Sequence, residues 1–229
     1  MIRAGLVKIN GRTAKLGDTC IPGVHRVTVE GRELKQRRRP EKRYIMLNKP
    51  RGFVTTMQDE QGRRCVADLV ADCGERVYPV GRLDRDSEGL LLLTNDGEFA
   101  NCVMHPSRHI AKTYFASVRP QLTPQQIERL ESGVVIDGRR TSPAQVKELS
   151  READRSLMEI TIFEGRNRQI RKMCEAVGLT VARLKRVAIG NLALGGLKLG
   201  KWRDLTRAEV QLVLRDATRP AEPPVQRPR

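Results

Sequence analysis

Apolar and polar positions alternate with a period of two in several short runs of this chain, and strand reading dominates. Tyr44-Ile45-Met46-Leu47 leads to a break at Lys49-Pro50-Arg51-Gly52, as a buried strand ending at a turn does. Leu90-Leu91-Leu92-Leu93 is wholly apolar and is closed by Asn95-Asp96-Gly97, which favours a buried strand over a helix. Ala111 to Val118 and Leu157 to Phe163 alternate cleanly. The first of these puts Lys112, Tyr114 and Ala116 on one face. Further strands are expected at 77–80, 134–137, 144–149 and through the alternating Val181, Leu184, Val187 and Ile189. Near the N-terminus, residues 5–12 and 27–32 read as small strands with tight turns at Asn10-Gly11 and Glu30-Gly31.

Helical signals are fewer. A single turn is expected at 65–70, and a short helix from Asp96 to before His105-Pro106. Thr123-Pro124-Gln125-Gln126 combines a cap, a proline at the first position and a glutamine at the capping-box position, opening a helix to Ser132-Gly133. With Asn167 as cap, Ile170, Met173, Cys174 and Val177 form one buried stripe that Gly178 ends, and Arg168, Arg171 and Lys172 share the opposite face. Thr206-Arg207-Ala208-Glu209 opens a last helix to about Arg215.

Composition changes this picture in three ways. At 229 residues with 39% hydrophobic content the chain holds one sizeable domain plus a small module. Its net charge of +16 predicts a polyanionic partner bound in a salt-sensitive way. A membrane surface is set aside, because the chain has no apolar run near 18 residues and no basic amphipathic helix with bulky aromatics. Five cysteines at irregular spacings and three histidines form neither a disulfide framework nor a zinc pattern, so reduced thiols in a cytoplasm are expected and no metal. No signal peptide is read at Met1-Ile2-Arg3-Ala4-Gly5. Residues 37–43 read as a basic linker and 218–229, rich in Pro and Arg, as a disordered tail. His105 and His109, beside a proline turn, read as surface residues.

The densest chemistry is Gly81-Arg82-Leu83-Asp84-Arg85-Asp86-Ser87-Glu88-Gly89, directly ahead of the four-leucine strand. On composition alone it is a solvated salt-bridge turn. The spacing puts Arg82 and Asp84 on one side of an extended backbone with Leu83 facing the core, so polar groups are pinned to a rigid element. Gly-Arg-Leu-Asp-x-x-Ser-x-Gly-Leu-x-Leu-x-Thr-Asn-Asp-Gly resembles the motif of the RNA pseudouridine synthases. In particular it resembles the branch acting on single uridines of ribosomal RNA, the RsuA/RluB/RluE/RluF group. Leu47-Asn48-Lys49-Pro50-Arg51-Gly52, Lys112-x-Tyr114 and Gly165-Arg166-Asn167-Arg168-Gln169-Ile170-Arg171 are similar to the other family motifs. The resemblance covers roughly residues 44 to 215.

The resemblance implies an α+β fold around a largely antiparallel sheet, with a catalytic domain at 44–217. It implies Asp84 as nucleophile, attacking a carbon of either the sugar or the base, Tyr114 against the target base and acting as a base, and Arg171 paired with Asp84. Arg82 is the candidate for holding the flipped nucleotide or filling the space it leaves, Arg168 is a nearby RNA contact, and Arg85, Lys112, Arg166 and Lys172 complete the RNA-facing set. Isomerising uridine involves no net redox or hydrolysis, so no cofactor is expected. Residues 1–36 are similar to the second half of an S4-type RNA-binding module. The helices that open such a module are missing from this chain, which implies a late start or a reduced module. Ile189-Gly190-Asn191-Leu192 with Gly200 to Thr206 leans toward the large-subunit enzymes. The expected partner is ribosomal RNA or a ribosomal precursor particle, met by a monomer. The rivals are a non-catalytic RNA-binding or ribosome-assembly protein on the same fold, and a DNA-binding regulator. The regulator would need a base-reading helix, and 168–177 is too uniformly cationic to be one.

Overall fold

The computed structural model describes residues 1–21, 23–34 and 41–218. The chain divides into two compact units, Met1–Glu41 and Lys42–Arg229. Most of the expected linker and nearly all of the expected tail lie outside the described residues.

The first unit is a small antiparallel sheet of β1 (Val7–Ile9), β2 (Arg12–Thr13), β3 (Val27–Val29) and β4 (Arg32–Glu33), ordered β2-β1-β3-β4. Both predicted tight turns form. Asn10 and Gly11 have φ of 50° and 83°, and Glu30 and Gly31 have 51° and 77°, the pair of left-handed residues that a two-residue hairpin turn requires. Of its described side chains only Ala14 is buried.

The second unit carries β5 (Tyr44–Lys49), α1 (Val66–Leu69), β6 (Tyr78–Val80), β7 (Glu88–Thr94), α2 (Gly97–Met104), β8 (Lys112–Arg119) and α3 (Pro124–Glu131). It continues with β9 (Val135–Ile136), β10 (Arg139–Arg140), β11 (Gln145–Arg151), β12 (Ser156–Ile162), α4 (Gln169–Ala176), β13 (Thr180–Ile189), β14 (Leu192–Ala193), β15 (Trp202–Asp204) and α5 (Arg207–Thr218). The main sheet runs β11-β12-β8-β13-β7-β5-β15, with β14 on β13 and β6 on β7. Its pairs are antiparallel except β13 with β7, which is parallel and aligns Lys185 with Glu88 and Arg186 with Gly89. The fold is thus α+β around a largely antiparallel sheet, with one parallel seam at its centre.

The leucine run is apolar throughout because β7 is covered on both faces. Leu91 and Leu93 join Ile45 and Leu47 in the cluster under α1, α3 and α4. Leu90 and Leu92 join Met46 in the second cluster, with Phe99 and Val103 of α2 and Val210 and Val213 of α5. A strand buried on both faces loses the alternating pattern. The caps at Thr123 with Gln126 and at Thr206 with Glu209 form as expected. The cap of α4 does not: the helix begins at Gln169, with Arg168 as the capping residue at φ 50°. The Gln169 side chain reaches back to accept from the Arg166 N–H at 3.0 Å, so the turn closes one residue later than Asn167 implies.

Gly89 answers to the parallel seam. Its φ is +107°, and a Cβ there would lie 2.2 Å from the Arg186 carbonyl oxygen. Only a residue without a side chain lets β13 come this close beside the Asp84 loop.

Candidate active site

Asp84 sits on a loop held from three directions. Leu83 is buried in the core, and its backbone is bracketed by Thr55, whose hydroxyl donates to the Leu83 carbonyl at 2.6 Å and accepts from its N–H at 3.2 Å. The Gly52 N–H donates to the Arg85 carbonyl at 2.7 Å, and the Ser87 N–H to that of Asp84 at 3.1 Å. From below, the Lys49 ammonium, fully buried, donates to the carbonyls of Pro50, Asp84 and Ser87 at 3.1, 3.0 and 2.9 Å. Burial pushes Lys49 down to about 8, against the pull of Asp84 and Asp86. The motif at 47–52 marks Lys49 as structural; only the folded chain places its charge beneath the loop.

With its backbone locked, the Asp84 carboxylate keeps a third of its surface open. It faces a cleft of about 710 Å³ that Arg82, Lys112, Tyr114, Arg166 and Arg168 also line. A smaller opening of about 430 Å³ on its other side is lined by Arg51, Arg85 and Arg168. Of the residues singled out above, all but Arg171 and Lys172 therefore line one of these two spaces.

Those two depart from expectation. Arg171 is buried rather than on an exposed face. Its guanidinium donates to the Val181 carbonyl at 2.9 Å and to the backbone carbonyl and side chain of Asp86, each at 3.2 Å. The expected pair with Asp84 does not form. Among the described residues the cation nearest that carboxylate is Arg168, whose Nη1 lies 3.9 Å from Asp84 Oδ2 and 3.3 Å from Asp86. Arg168, the left-handed capping residue, stands at the entrance of α4 facing the loop, while Arg171, three residues before the buried Cys174, borders the buried stripe and reaches the Val181 carbonyl. Lys172 is bound to Asp137 at 2.6 Å, away from the cleft. Arg166 lines the cleft while anchored to the Arg139 and Arg140 carbonyls at 3.1 and 2.6 Å.

Tyr114 is buried on β8, in register with Ile160 of β12 and Arg186 of β13. The Arg186 guanidinium carbon lies 6.0 Å from the Tyr114 ring centroid, within cation–π range. Arg186 is itself buried and lines the cleft. Its position among alternating apolar residues of β13 gave no reason to single it out. Lys112, two residues before Tyr114, donates to the Ile110 carbonyl at 3.0 Å. Burial pushes it down to about 8, helped by the Arg186 charge. His105 and His109 line the cleft as well, and His105 is tied to Ser107 at 2.7 Å.

A profile of RNA pseudouridylate synthases matches residues 43–176, the span that contains the Asp84 loop, Tyr114 and Arg171. This chain belongs to the RNA pseudouridylate synthase family. A member from Bacillus subtilis (strain 168), ribosomal large subunit pseudouridine synthase B, is 42% identical over 92% of this chain and 86% of its own length. The dual-specificity RNA pseudouridine synthase RluF of Escherichia coli (strain K12) is 40% identical over 91% of this chain and 70% of its own. A crystal structure of a pseudouridylate synthase superposes with a TM-score of 0.70 at 30% identity, covering 93% of this chain and 90% of that one. As a pseudouridylate synthase the protein is an isomerase acting on RNA. Among the described residues no helix is long and apolar enough to cross a membrane.

Lys112 offers a test of this synthase's cleft. Its protonated form is disfavoured by folding, since the folded value near 8 lies below the free value of 10.5. The unfolded chain therefore keeps the proton to higher pH, and the penalty acts below about 8 and fades toward 10.5. Lys112→Met is expected to raise the urea midpoint relative to the parent chain at pH 7, and to lose that gain by about pH 10. A gain that stays constant across this range would mean that Lys112 is not desolvated.

Proposed function

We propose that this synthase converts a uridine of ribosomal RNA, in the large subunit, to pseudouridine, with Asp84 as the nucleophile. The observation that carries the reading is the presentation of Asp84. Its backbone is clamped by Lys49, Thr55 and Gly52 while its carboxylate opens into a cleft lined with cations. A carboxylate so placed can add covalently and divide a hard bond exchange into two easier steps. The bond from C1′ to N1 breaks, the base turns, C1′ joins C5, the C5 hydrogen leaves to solvent as a proton, and N1 takes up a proton in its place. Arg168 is the neighbouring cation, its Nη1 3.9 Å from Asp84 Oδ2. Tyr114 lies where the base would enter.

The target nucleotide has to leave its stack to reach Asp84, and Arg82, exposed beside it, is suited to hold it or fill the vacated space. Arg51, Arg85, Arg166 and Arg168 supply phosphate contacts, while Lys172 is a peripheral one. With 3% aromatic residues, recognition rests on shape and backbone charge, as suits a folded stem-loop in ribosomal RNA or a precursor particle. A monomer acting in the cytoplasm, without a cofactor or metal, completes the reading. Residues 1–36 act as a partial S4-like module.

The test is tritium release from C5-labelled uridine in transcripts of large-subunit and small-subunit ribosomal RNA. Release from the large-subunit transcript, falling steeply with added salt, is expected. No release from either transcript, or from precursor particles, would favour a non-catalytic RNA-binding protein on this fold.

A further inference from the structure

The inner wall of the cleft holds a buried guanidinium, that of Arg186, with no carboxylate within ion-pair distance among the described residues. Arg186 is 4% exposed. Its Nε donates to the Leu90 carbonyl at 2.7 Å, while its Nη2 is sealed from water and has no hydrogen-bond partner. Among the described residues no carboxylate lies within ion-pair distance of Arg186, Lys112 or Lys49; the acids near the cleft are engaged elsewhere. Asp84 and Asp86 face Arg168, and Asp86 also holds Arg171. Glu164 is taken by Arg166 and Gln169, and Glu88 by Arg183.

A buried guanidinium without an anion is costly. This one is held in place, its Nε bound to the Leu90 carbonyl and its strand packed against Gly89. The guanidinium also lies over the ring of Tyr114, within the lining of the cleft. An anion that formed only during the reaction would find a prepared, water-poor site there, which is the arrangement that lowers a barrier rather than a ground state.

Cleavage of the glycosidic bond makes such an anion. As C1′ is taken by the Asp84 carboxylate oxygen, the electron pair of the C1′–N1 bond departs with the base. The base becomes a uracil anion with its charge spread over N1, O2 and O4. We propose that Arg186 is a further catalytic residue of this synthase, stabilising the departing uracil anion against the face of Tyr114. The proposal rests on the reading of the cleft as the uridine site. When C5 of the same anion then attacks C1′, the pair returns to carbon, the aspartyl ester breaks and Asp84 is restored.

The test is single-turnover loss of the target N1-glycoside, scored after nuclease digestion of a target stem-loop, by wild type, Arg186→Gln and Arg186→Lys, each with uridine and with 5-fluorouridine at the target position. Fluorine stabilises the base anion, so a leaving group that needs less help should feel the loss of Arg186 less. Arg186→Gln is expected to slow uridine conversion about 10²–10³-fold, to slow 5-fluorouridine conversion at least about tenfold less, and to leave the RNA Kd within about twofold. Arg186→Lys, which keeps the charge, should fall between. If Arg186→Gln unfolds, the Lys variant is held to the same requirement of a smaller defect on 5-fluorouridine. Equal losses on both substrates would overturn the proposal and make Arg186 a packing residue. A weakened Kd with unchanged rates, and a salt slope lower by about one, would overturn it in favour of a phosphate contact. No conversion by the wild type would instead overturn the reading of the cleft itself.

Discussion

Asp84→Asn is expected to lower pseudouridine formation by about 10⁴-fold or more while RNA affinity is held or slightly raised. The substitution keeps shape and volume. It removes the nucleophilic charge, and losses of that order accompany removal of a nucleophile that no neighbour replaces. The loop should survive, because its clamps act on backbone: Lys49 on the Asp84 and Ser87 carbonyls, Thr55 on Leu83, Gly52 on Arg85. Affinity should not fall, since a negative charge leaves a cleft that meets a polyanion. The informative control is Asp86→Asn. Asp86 holds both Arg168 and Arg171, so that variant should lose activity more modestly, by about tenfold, through misplacement of the arginines. Product assays and filter binding on both variants would decide. If the two losses were reversed in size, Asp86 would be the reacting acid.

Gly89→Ala is expected to destabilise the second unit by about 4 kcal/mol or more, lowering its Tm by about 10 °C, or to prevent folding. The added Cβ would lie 2.2 Å from the Arg186 carbonyl oxygen and 2.8 Å from its nitrogen. Both are backbone atoms of a strand paired on either side with β8 and β7, so neither can swing aside. The backbone at φ +107° is also one that a side chain rarely tolerates. Any relief has to come from parting β13 and β7, which would move Arg186 away from Tyr114. Thermal unfolding of the purified variant would measure the cost. A Tm within about 2 °C of the parent chain would show that the parallel seam is not held this closely.

The two predictions bear on different kinds of information. Asp84 was singled out by the resemblance of its motif, since on composition alone the segment is a solvated salt-bridge turn. What local spacing added was direction: backbone alternation puts Asp84 and Arg82 on one side with Leu83 facing the core. The hairpin turns at Asn10-Gly11 and Glu30-Gly31, the capping boxes at Thr123 and Thr206, and the Lys112, Tyr114 and Ala116 face were legible from local spacing too. Each depends on residues within four positions of one another, where steric and hydrogen-bonding preferences act without help from the rest of the fold.

What only the tertiary structure decided involves long separations. Nothing near Lys49 in the chain shows that its ammonium lies beneath Asp84, 35 residues on. Nothing in the alternation of β13 marks Arg186 as a charge over Tyr114, because a period-of-two pattern says which face a residue takes and not what lies across from it. The pairing of Arg171 with Asp84 came from the motif resemblance, which carries no geometry; in the folded chain Arg171 reaches Asp86 and the Val181 carbonyl, and Arg168 is the cation nearer Asp84. Gly89 looked like part of a turn, yet it answers to Arg186 across the one parallel seam in the sheet. The sequence by itself determined the strands, the caps and the acid that faces the cleft. Strand order and register decided which distant cations converge on that acid, because charges meet through space while local preferences extend only a few residues along the chain.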